Sequence, residues 1–386
     1  MSIRQLEEYQ NKSRRYAFLK AWHNIKKLDS SNKDSFWSIA SINGQPFNIP
    51  RTTPPKSDRV WGGYSQHLNV LFPTWYRCYL LHLEVALAKC VDESEAHLVA
   101  LHYWDETSTE SLENGLPQLL LQERVQIDDN GNTIPNPLLG FTLPEGIPLA
   151  VSETRYAKPD GYTTKRYPYS GLHDAHDLFM ELEDTRVQNE YIDKGFRDPV
   201  TYLQENIKSY LTVGGTKSIK TMYTNCLTNK TYNEFSNMLS ASENCPSIEE
   251  ASDAMLLTLG GKTLDDSPQH GLVAGANGDI GAKEMAAFDP LFFLHMSNVD
   301  RLFWTWQLSH EKHTIMSPFT ITSNSADQGL KPMYGQGPSP TQQGDVELSM
   351  ATPLNPFGKF DGDVLTSNDC VDIENQLKYT YTQGSR

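Results

Sequence analysis

Residues 288–304 read FDPLFFLHMSNVDRLFW and contain the signals from which a central helix can be predicted. Asp289 followed by Pro290 predicts the start of a helix, because aspartate caps a first turn and proline suits the first helical position. The residues that follow are mostly apolar and contain no further proline. We therefore predict a helix from Asp289 to about Leu308, with His295 in its first half.

A second informative stretch, residues 67–77, reads HLNVLFPTWYR and leads into another helix. After Pro73, the leucines Leu80, Leu83 and Leu87 recur at the spacing of one helical face. This periodicity is typical of an amphipathic helix that packs against a core.

Three further helices are predicted from local signals. Apolar residues at helical spacing indicate helices over 14–27 and 33–42. Ser247 and Glu250 form an S-x-x-E capping pattern, which predicts a helix to about Leu259 that ends at the glycines that follow. Residues 105–185 are rich in Pro, Gly, Asp and Thr and are predicted to be irregular, and a short strand is predicted over 377–381.

Composition narrows the possible partners. The 386 residues carry 33 Lys and Arg against 48 Asp and Glu, a formal charge of −15, which disfavours nucleic acid and anionic membrane surfaces. No apolar run approaches the roughly 20 residues that span a bilayer. The polar N-terminus does not resemble a signal peptide, and the five cysteines are widely spaced. We expect a cytoplasmic protein with reduced thiols; its oligomeric state is open.

The two quoted stretches resemble the two copper-binding regions of the tyrosinase family of type 3 copper proteins. The family usually reads F-P-x-W-H-R in the first region and F-D-P-x-F-x-x-H-H-x-x-x-D-R in the second. Residues 354–357 and 377–381 are similar to the family's closing tyrosine motif, so the resemblance covers nearly the whole chain. It implies a mainly α fold: a central four-helix bundle wrapped by long loops, with few short strands. It also implies one core domain, residues 1–386, with no separate C-terminal shielding domain.

The resemblance implies six histidine ligands, three for each copper, but only His67 falls on such a position. The other five positions carry non-histidine residues: Asn43, Tyr76, Ser252, Leu256 and Met296. A single imidazole cannot provide the nitrogen-rich environment of a copper pair. We therefore expect a copper-free homologue with no metal and no cofactor, which is not a functional tyrosinase or catechol oxidase.

The loss of histidine at five of the six ligand positions suggests chemistry without a metal. We assign His67 as general acid or base, Tyr76 as hydrogen-bond donor, and Asp253 and Glu249 as further proton-transfer or orienting groups. Glu249 matches a glutamate that orients a water near the metal site in several family members. The hypothesis is a cyclisation, isomerisation, dehydration or rearrangement of an aromatic or polyketide-type intermediate of secondary metabolism.

The predicted substrate contacts combine polar and apolar side chains, as small-molecule sites usually do. They are Asn43, Ser252, Leu256, Phe292, His295 and Met296. Several site residues have a structural alternative. Leu256 and Met296 fit packing, and His295 fits a packed or carbonyl-bonded histidine. Among the assigned catalytic groups, His67 fits a satisfied core histidine, Tyr76 a side chain that fills the void and bonds a backbone carbonyl, and Glu249 a charge in the first turn of a helix.

Two other function classes stay open at this point. One is a non-catalytic binding or scaffold protein that kept the fold. The other is a metalloenzyme with a rearranged zinc or other metal site, for which His173 and His176, or His310 and His313, are the candidate pairs. Neither pair has a clear third ligand nearby, so both also fit incidental surface histidines.

Overall fold

The computed structural model describes most of the chain in separate ranges. These are residues 2–4, 11–44, 63–147, 158, 160–166, 199–213, 218–260, 279–310, 319–332, 346–359 and 362–382. Within them the fold is rich in helix with few short strands, as predicted. No helix in these ranges is both long enough and apolar enough to cross a bilayer.

The helices of the described ranges are named in chain order. They are α1 Lys12–Ile25, α2 Phe36–Asn43, α3 Phe72–Ala88, α4 Glu93–Ala96, α5 Thr109–Asn114, α6 Pro199–Thr212, α7 Ile219–Cys226, α8 Tyr232–Ser236, α9 Ile248–Leu259 and α10 Pro290–His310. The predicted helices over 14–27, 33–42, after Pro73, after Ser247 and after Asp289 are thus confirmed, with ends shifted by at most three residues.

Side-chain caps explain where two of the helices that carry candidate site residues begin. The Ser247 hydroxyl accepts a hydrogen bond from the backbone N–H of Glu250 at 3.1 Å, which satisfies a donor that the first turn of α9 leaves free. Asp289 accepts from the backbone N–H of Leu291 at 2.9 Å, immediately before α10. Both caps are the ones that the sequence predicts.

The strands pair in twos. Strand β1, Ser2–Arg4, runs parallel to β6, Tyr379–Tyr381, with Ser2 opposite Tyr379. Two antiparallel pairs complete the described strands: β2 Arg124–Gln126 with β3 Thr133–Pro135, and β4 Pro353–Gly358 with β5 Val364–Thr366. The strand predicted over 377–381 is therefore confirmed in part, whereas the hairpin within the predicted irregular region was not foreseen.

Helices α3 and α10 pack against each other, and α9 packs on α10, α6 and α7. Three buried aromatic rings contact one another edge-on or tilted, with centroids 5.4 to 6.1 Å apart: Trp22, Phe36 and Phe293. These contacts place the faces of α3, α9 and α10 around a shared interior. The four-helix bundle and the single domain over residues 1–386 stay predictions.

A buried polar cluster joins α3, α10 and β6. The carboxylate of Asp300 accepts from Arg77 Nε at 2.6 Å and from the hydroxyls of Tyr379 and Tyr381. Burial by itself would raise the pKa of Asp300, but Arg77, Arg4 and the two hydroxyls hold it below its usual value. The cluster fixes the closing tyrosine segment onto the helices that carry the candidate site.

Candidate functional site

Three of the predicted site residues meet through one hydroxyl. Asn43 is the last residue of α2, and Tyr76 lies in the second turn of α3. The Tyr76 hydroxyl donates to Asn43 Oδ1 at 2.8 Å and lies 3.1 Å from His67 Nε2. Asn43 and Tyr76 are almost fully buried, so this contact is part of the protein interior.

Glu249 holds the segment that carries His67. Its Oε1 lies 3.1 Å from His67 Nδ1 and accepts the backbone N–H of Leu68 at 2.9 Å. Its Oε2 accepts the N–H of Met238 at 3.3 Å. Leu68 has a φ of 59°, a left-handed conformation that a leucine rarely adopts and that surrounding contacts must stabilise. Glu249 therefore orients His67 through a ring nitrogen and through the backbone N–H of the next residue, Leu68.

An ion pair lies next to this group. Lys283 Nζ is 3.0 Å from Asp253 Oδ2, and the backbone carbonyl of Lys283 accepts from Asn43 Nδ2 at 2.9 Å. Burial first, and then the Lys283 charge, lower the pKa of His67 to about 3 against the opposing effect of Asp253. His67 is thus neutral near pH 7. Burial also raises the pKa of Glu249.

The other half of the site is a second hydrogen-bonded group. Ser252 Oγ lies 2.8 Å from His295 Nε2 and 3.6 Å from Met296 Sδ. His295 Nδ1 lies 2.6 Å from Glu106 Oε1, and the Tyr223 hydroxyl donates to Glu106 Oε2. His295 bonds a hydroxyl and a carboxylate here, rather than the carbonyl considered from the sequence.

The predicted apolar contacts lie on α9 and α10, next to residues of these two groups. Leu256 follows Ser252 by one turn of α9 and is 6% exposed, and Phe292 precedes Met296 by one turn of α10. The ring of Phe292 is tilted against that of Tyr76 with centroids 6.1 Å apart. The apolar side chains therefore pack within the interior, while their predicted role in substrate contact stays a prediction.

The structure brings the candidate residues together, but sequence reasoning missed three of their partners. Glu106, Tyr223 and Lys283 come from distant segments and belong to no motif that the sequence analysis used. In the sequence, Glu106 is marked only as the second of two carboxylates, after Asp105, that follow Trp104. The catalytic roles assigned to His67, Tyr76, Asp253 and Glu249 stay predictions.

Metal-ligating side chains do not gather elsewhere in the described ranges: no group of three or more His, Cys, Asp or Glu is placed to hold a metal ion. His310 lies 2.8 Å from the carbonyl of Trp306 through its Nδ1. The other three histidines of the candidate pairs, His173, His176 and His313, lie outside the described residues.

Comparisons with known proteins agree on one family. Residues 33–309 match the family model described as the common central domain of tyrosinase. The chain is 35% identical to tyrosinase HcTyr2 of Hahella sp. (strain CCB-MM4), covering 100% of this chain and 73% of the relative. It is 33% identical to the tyrosinase of Aspergillus oryzae, covering 94% and 70%. The solved tyrosinase of Burkholderia thailandensis at low pH superposes with a TM-score of 0.82 at 33% identity, covering 100% and 75%.

These comparisons correct the function inferred from the sequence. The hypothesis of a copper-free cyclase or isomerase acting on a polyketide-type intermediate is wrong, because relatives 33 to 35% identical over nearly the whole chain are named tyrosinases. Those names indicate an enzyme family of the tyrosinase and polyphenol oxidase class. They give no support to cyclisation or to a role in secondary metabolism.

Proposed function

This chain belongs to the tyrosinase family, and from that premise we propose that it binds a phenolic small molecule without holding a copper pair. The family acts on phenolic small molecules, which supports the class of ligand. The side chains at the positions of the family's copper ligands support the proposal that no copper pair is held. On this proposal the chain is not a functional tyrosinase.

The donor atoms available do not fit a type 3 copper centre. Such a centre needs three imidazole nitrogens on each metal, whereas the positions that resemble the ligand sites carry one imidazole. The other five side chains present one amide, one phenol, one hydroxyl, one thioether and one alkyl group: Asn43, Tyr76, Ser252, Met296 and Leu256. The alkyl group of Leu256 has no donor atom at all.

The observation that carries the proposal is the hydrogen-bonded chain Asn43–Tyr76–His67–Glu249. Both ring nitrogens of His67 lie 3.1 Å from a partner oxygen, so neither is free for a metal. The Tyr76 hydroxyl donates to Asn43 at 2.8 Å, so the side chains at two further ligand positions are hydrogen-bonded to each other. Side chains that satisfy one another in this way form a stable interior without a metal ion.

Phenol oxidation is the second candidate function, and the names of the relatives favour it. It requires a metal pair that the residues above do not fit, so the two candidates predict different metal contents. Oxidation also requires dioxygen uptake, which binding does not.

Metal content and ligand binding test the proposal together. The full chain would be incubated with excess copper(II), desalted, and analysed by mass spectrometry for bound metal, while calorimetry measures binding of simple phenols. We expect well below one copper per chain and saturable binding of a phenol but not of the matching cyclohexanol. About two coppers per chain with oxygen-dependent conversion of a catechol would refute the copper-free proposal, and no phenol binding would refute the ligand class.

A further inference from the structure

The sequence contains four Asn-Gly dipeptides, at residues 43–44, 114–115, 130–131 and 277–278. In such a pair the backbone nitrogen after the asparagine can attack the asparagine side-chain amide, because glycine has no side chain that shields this nitrogen. The attack requires a weakly held backbone nitrogen, an amide that can turn towards it, and access of water. The structure describes the first three dipeptides, and of these only the pair at 130–131 meets all three conditions.

Asn130 and Gly131 lie at the tip of the hairpin that β2 and β3 form, and both are exposed. Gly131 has a φ of 85°, and open space surrounds the position from which a side chain would start. Its N–H points to the carbonyl of Asp128 at 3.5 Å, which is longer than an ordinary N–H···O hydrogen bond. The Gly131 nitrogen is therefore weakly held in a residue that water reaches.

Asp128 holds the remainder of this tip. Its Oδ1 accepts the backbone N–H groups of Asn130 and Asn132, each at 3.0 Å, and its Oδ2 accepts the side-chain amide of Asn132 at 2.6 Å. The side-chain amide of Asn130 has no hydrogen-bond partner among the described residues. It can therefore turn towards the Gly131 nitrogen while the hairpin stays in place.

The pair at 114–115 is exposed at its asparagine but held in its backbone. Asn114 ends α5, and the Gly115 nitrogen donates to the carbonyl of Ser111 at 2.9 Å. The Asn114 carbonyl accepts from Gln204 Nε2 at 2.6 Å. Both polar atoms of the peptide group between the two residues are thus engaged, so attack by this nitrogen requires local opening of the fold.

The pair at 43–44 is protected through its side chain. Asn43 is 1% exposed, its Oδ1 accepts from the Tyr76 hydroxyl at 2.8 Å, and its Nδ2 donates to the Lys283 carbonyl at 2.9 Å. The backbone of Glu284 packs directly on Gly44, where a side chain would collide with it. The Asn43 amide therefore cannot turn towards the Gly44 nitrogen in the folded chain.

From this contrast we infer that Asn130 is a site of spontaneous covalent modification, at which the Gly131 nitrogen closes a ring on the asparagine side chain and the residue becomes aspartate or isoaspartate. Asn114 and Asn43 are protected in the folded chain. The inference is independent of the proposed phenol binding, because the modified residue lies in the hairpin and not in the candidate site.

The reaction balances with water as its only co-reactant. A bond forms between the Gly131 nitrogen and Cγ of Asn130, the bond from Cγ to the amide nitrogen breaks, and ammonia leaves with the proton from Gly131. Water then opens the resulting succinimide ring at one of its two carbonyl groups. Opening on one side gives aspartate, and opening on the other gives isoaspartate, in which the main chain runs through the former side chain.

Either product changes the hairpin tip. Each adds a negative charge next to Asp128 and Asp129, and isoaspartate also lengthens the main chain. The tip is closed by the Ile127 N–H, which donates to the Asn132 carbonyl at 3.0 Å. We expect the isoaspartate form to weaken this bond, because the added main-chain carbon shifts Asn132 relative to Ile127.

Peptide mapping of the aged full-length chain tests the inference. Trypsin cleaves after Lys and Arg and places the dipeptides on separate peptides, and digestion at mildly acidic pH limits conversion during preparation. In the folded chain at mildly alkaline pH, we expect Asn130 to convert roughly tenfold or more faster than Asn114 or Asn43, because those two need local opening. Mass spectrometry should find isoaspartate as well as aspartate at position 130.

Unfolding and two matched variants separate the effect of the fold from that of the sequence. In guanidinium chloride the three rates should converge to within a few-fold, since all three asparagines precede glycine. Asn130→Gln should abolish conversion in its peptide, because the longer side chain would have to close a larger ring. Asn114→Gln is the control and should leave conversion at Asn130 unchanged, and thermal melting checks that both variants remain folded.

The inference is overturned if Asn130 in the folded chain converts no faster than Asn114 or Asn43. It is equally overturned if position 130 yields aspartate alone, because direct hydrolysis of the amide, unlike ring closure, forms no isoaspartate. Rate differences that persist in guanidinium chloride would show that neighbouring residues, and not the fold, set the rates, and would reject the protection assigned to Asn114 and Asn43.

Discussion

At the scale of single residues, Tyr76 combines packing with hydrogen bonding. Its ring contacts Phe72 and Trp75 with centroids 4.9 and 5.0 Å apart, and its hydroxyl donates to Asn43. Tyr76→Phe keeps the ring but leaves the buried Asn43 Oδ1 without this donor. We expect a loss of about 1–3 kcal/mol in the free energy of unfolding, measured by urea denaturation. Tyr16→Phe is the matched control, because that hydroxyl is 3.4 Å from its partner, and an equal loss would contradict the assignment.

The pKa of His67 gives a pH prediction with a definite sign. The folded-state pKa is lowered from 6.5 to about 3, so protons bind the unfolded chain more readily between these values. The stability that neutral His67 contributes is complete above pH 6.5 and is lost as the pH falls towards 3. We expect the free energy of unfolding to decline by up to about 1.4 kcal/mol per pH unit in this window. The His67→Gln variant should show a flatter profile, and an unchanged slope would reject the assignment to His67.

The sequence predicted which side chains would lie close together but not which hydrogen bonds they would make with one another. His67, Tyr76 and Glu249 were assigned separate chemical tasks, whereas the structure joins them in one chain. Hydrogen-bond partners depend on where distant segments pack, and Glu106 is 189 residues from His295. Local pattern therefore finds motif positions but cannot identify such partners.

At the scale of secondary structure, α3 shows how one apolar face holds a helix in place. Leu80 is fully buried, whereas Val85 of the same helix is 48% exposed. Leu80→Ala should cost about 2–5 kcal/mol, because it removes buried methyl groups and leaves a cavity. Val85→Ala should change stability by less than about 0.5 kcal/mol. Similar urea midpoints for the two variants would show that this face does not carry the packing.

Helices were predictable to within a few residues because caps and periodicity are local signals. Ser247 and Asp289 mark their helix starts directly in the sequence. Most strands, in contrast, are three residues long and pair with partners that no local pattern specifies, as β1 does with β6. The hairpin of β2 and β3 is local, but its two three-residue strands are too short to give a clear alternating pattern within a region rich in turn-forming residues.

At the scale of the whole molecule, Arg4 connects segments from both ends of the described sequence. Its Nε donates to Glu84 at 2.8 Å, and its guanidinium lies 3.6 Å from the centre of the Tyr379 ring. Arg4→Met should destabilise the fold by about 3–5 kcal/mol, since it removes the cation from a buried ion pair. Thermal melting measures the loss. The exposed Arg124→Met serves as control, and comparable melting points would contradict the prediction.

The resemblance in sequence correctly gave the family and the helix-rich fold, because motif order and spacing extend over the whole chain. It did not give the function, since five changed positions such as Leu256 were interpreted as new chemistry. Substitutions at a site show which chemistry has been lost more reliably than they show which chemistry has replaced it. The cytoplasmic location stays a prediction.

The pairing of β1 with β6 constrains when this chain can complete its fold. The register joins Arg4 to Tyr381, and Arg4 Nη1 donates to the hydroxyl of that tyrosine, 377 residues away. During synthesis, Arg4 leaves the ribosome more than three hundred residues before its partner strand does. Because closing so long a loop is entropically costly, helices such as α3 have local contacts available long before this pair can form. A nascent chain stalled before residue 379 would therefore present an Arg4 that has Glu84 available but lacks Tyr379 and Tyr381 to the chaperones that meet it.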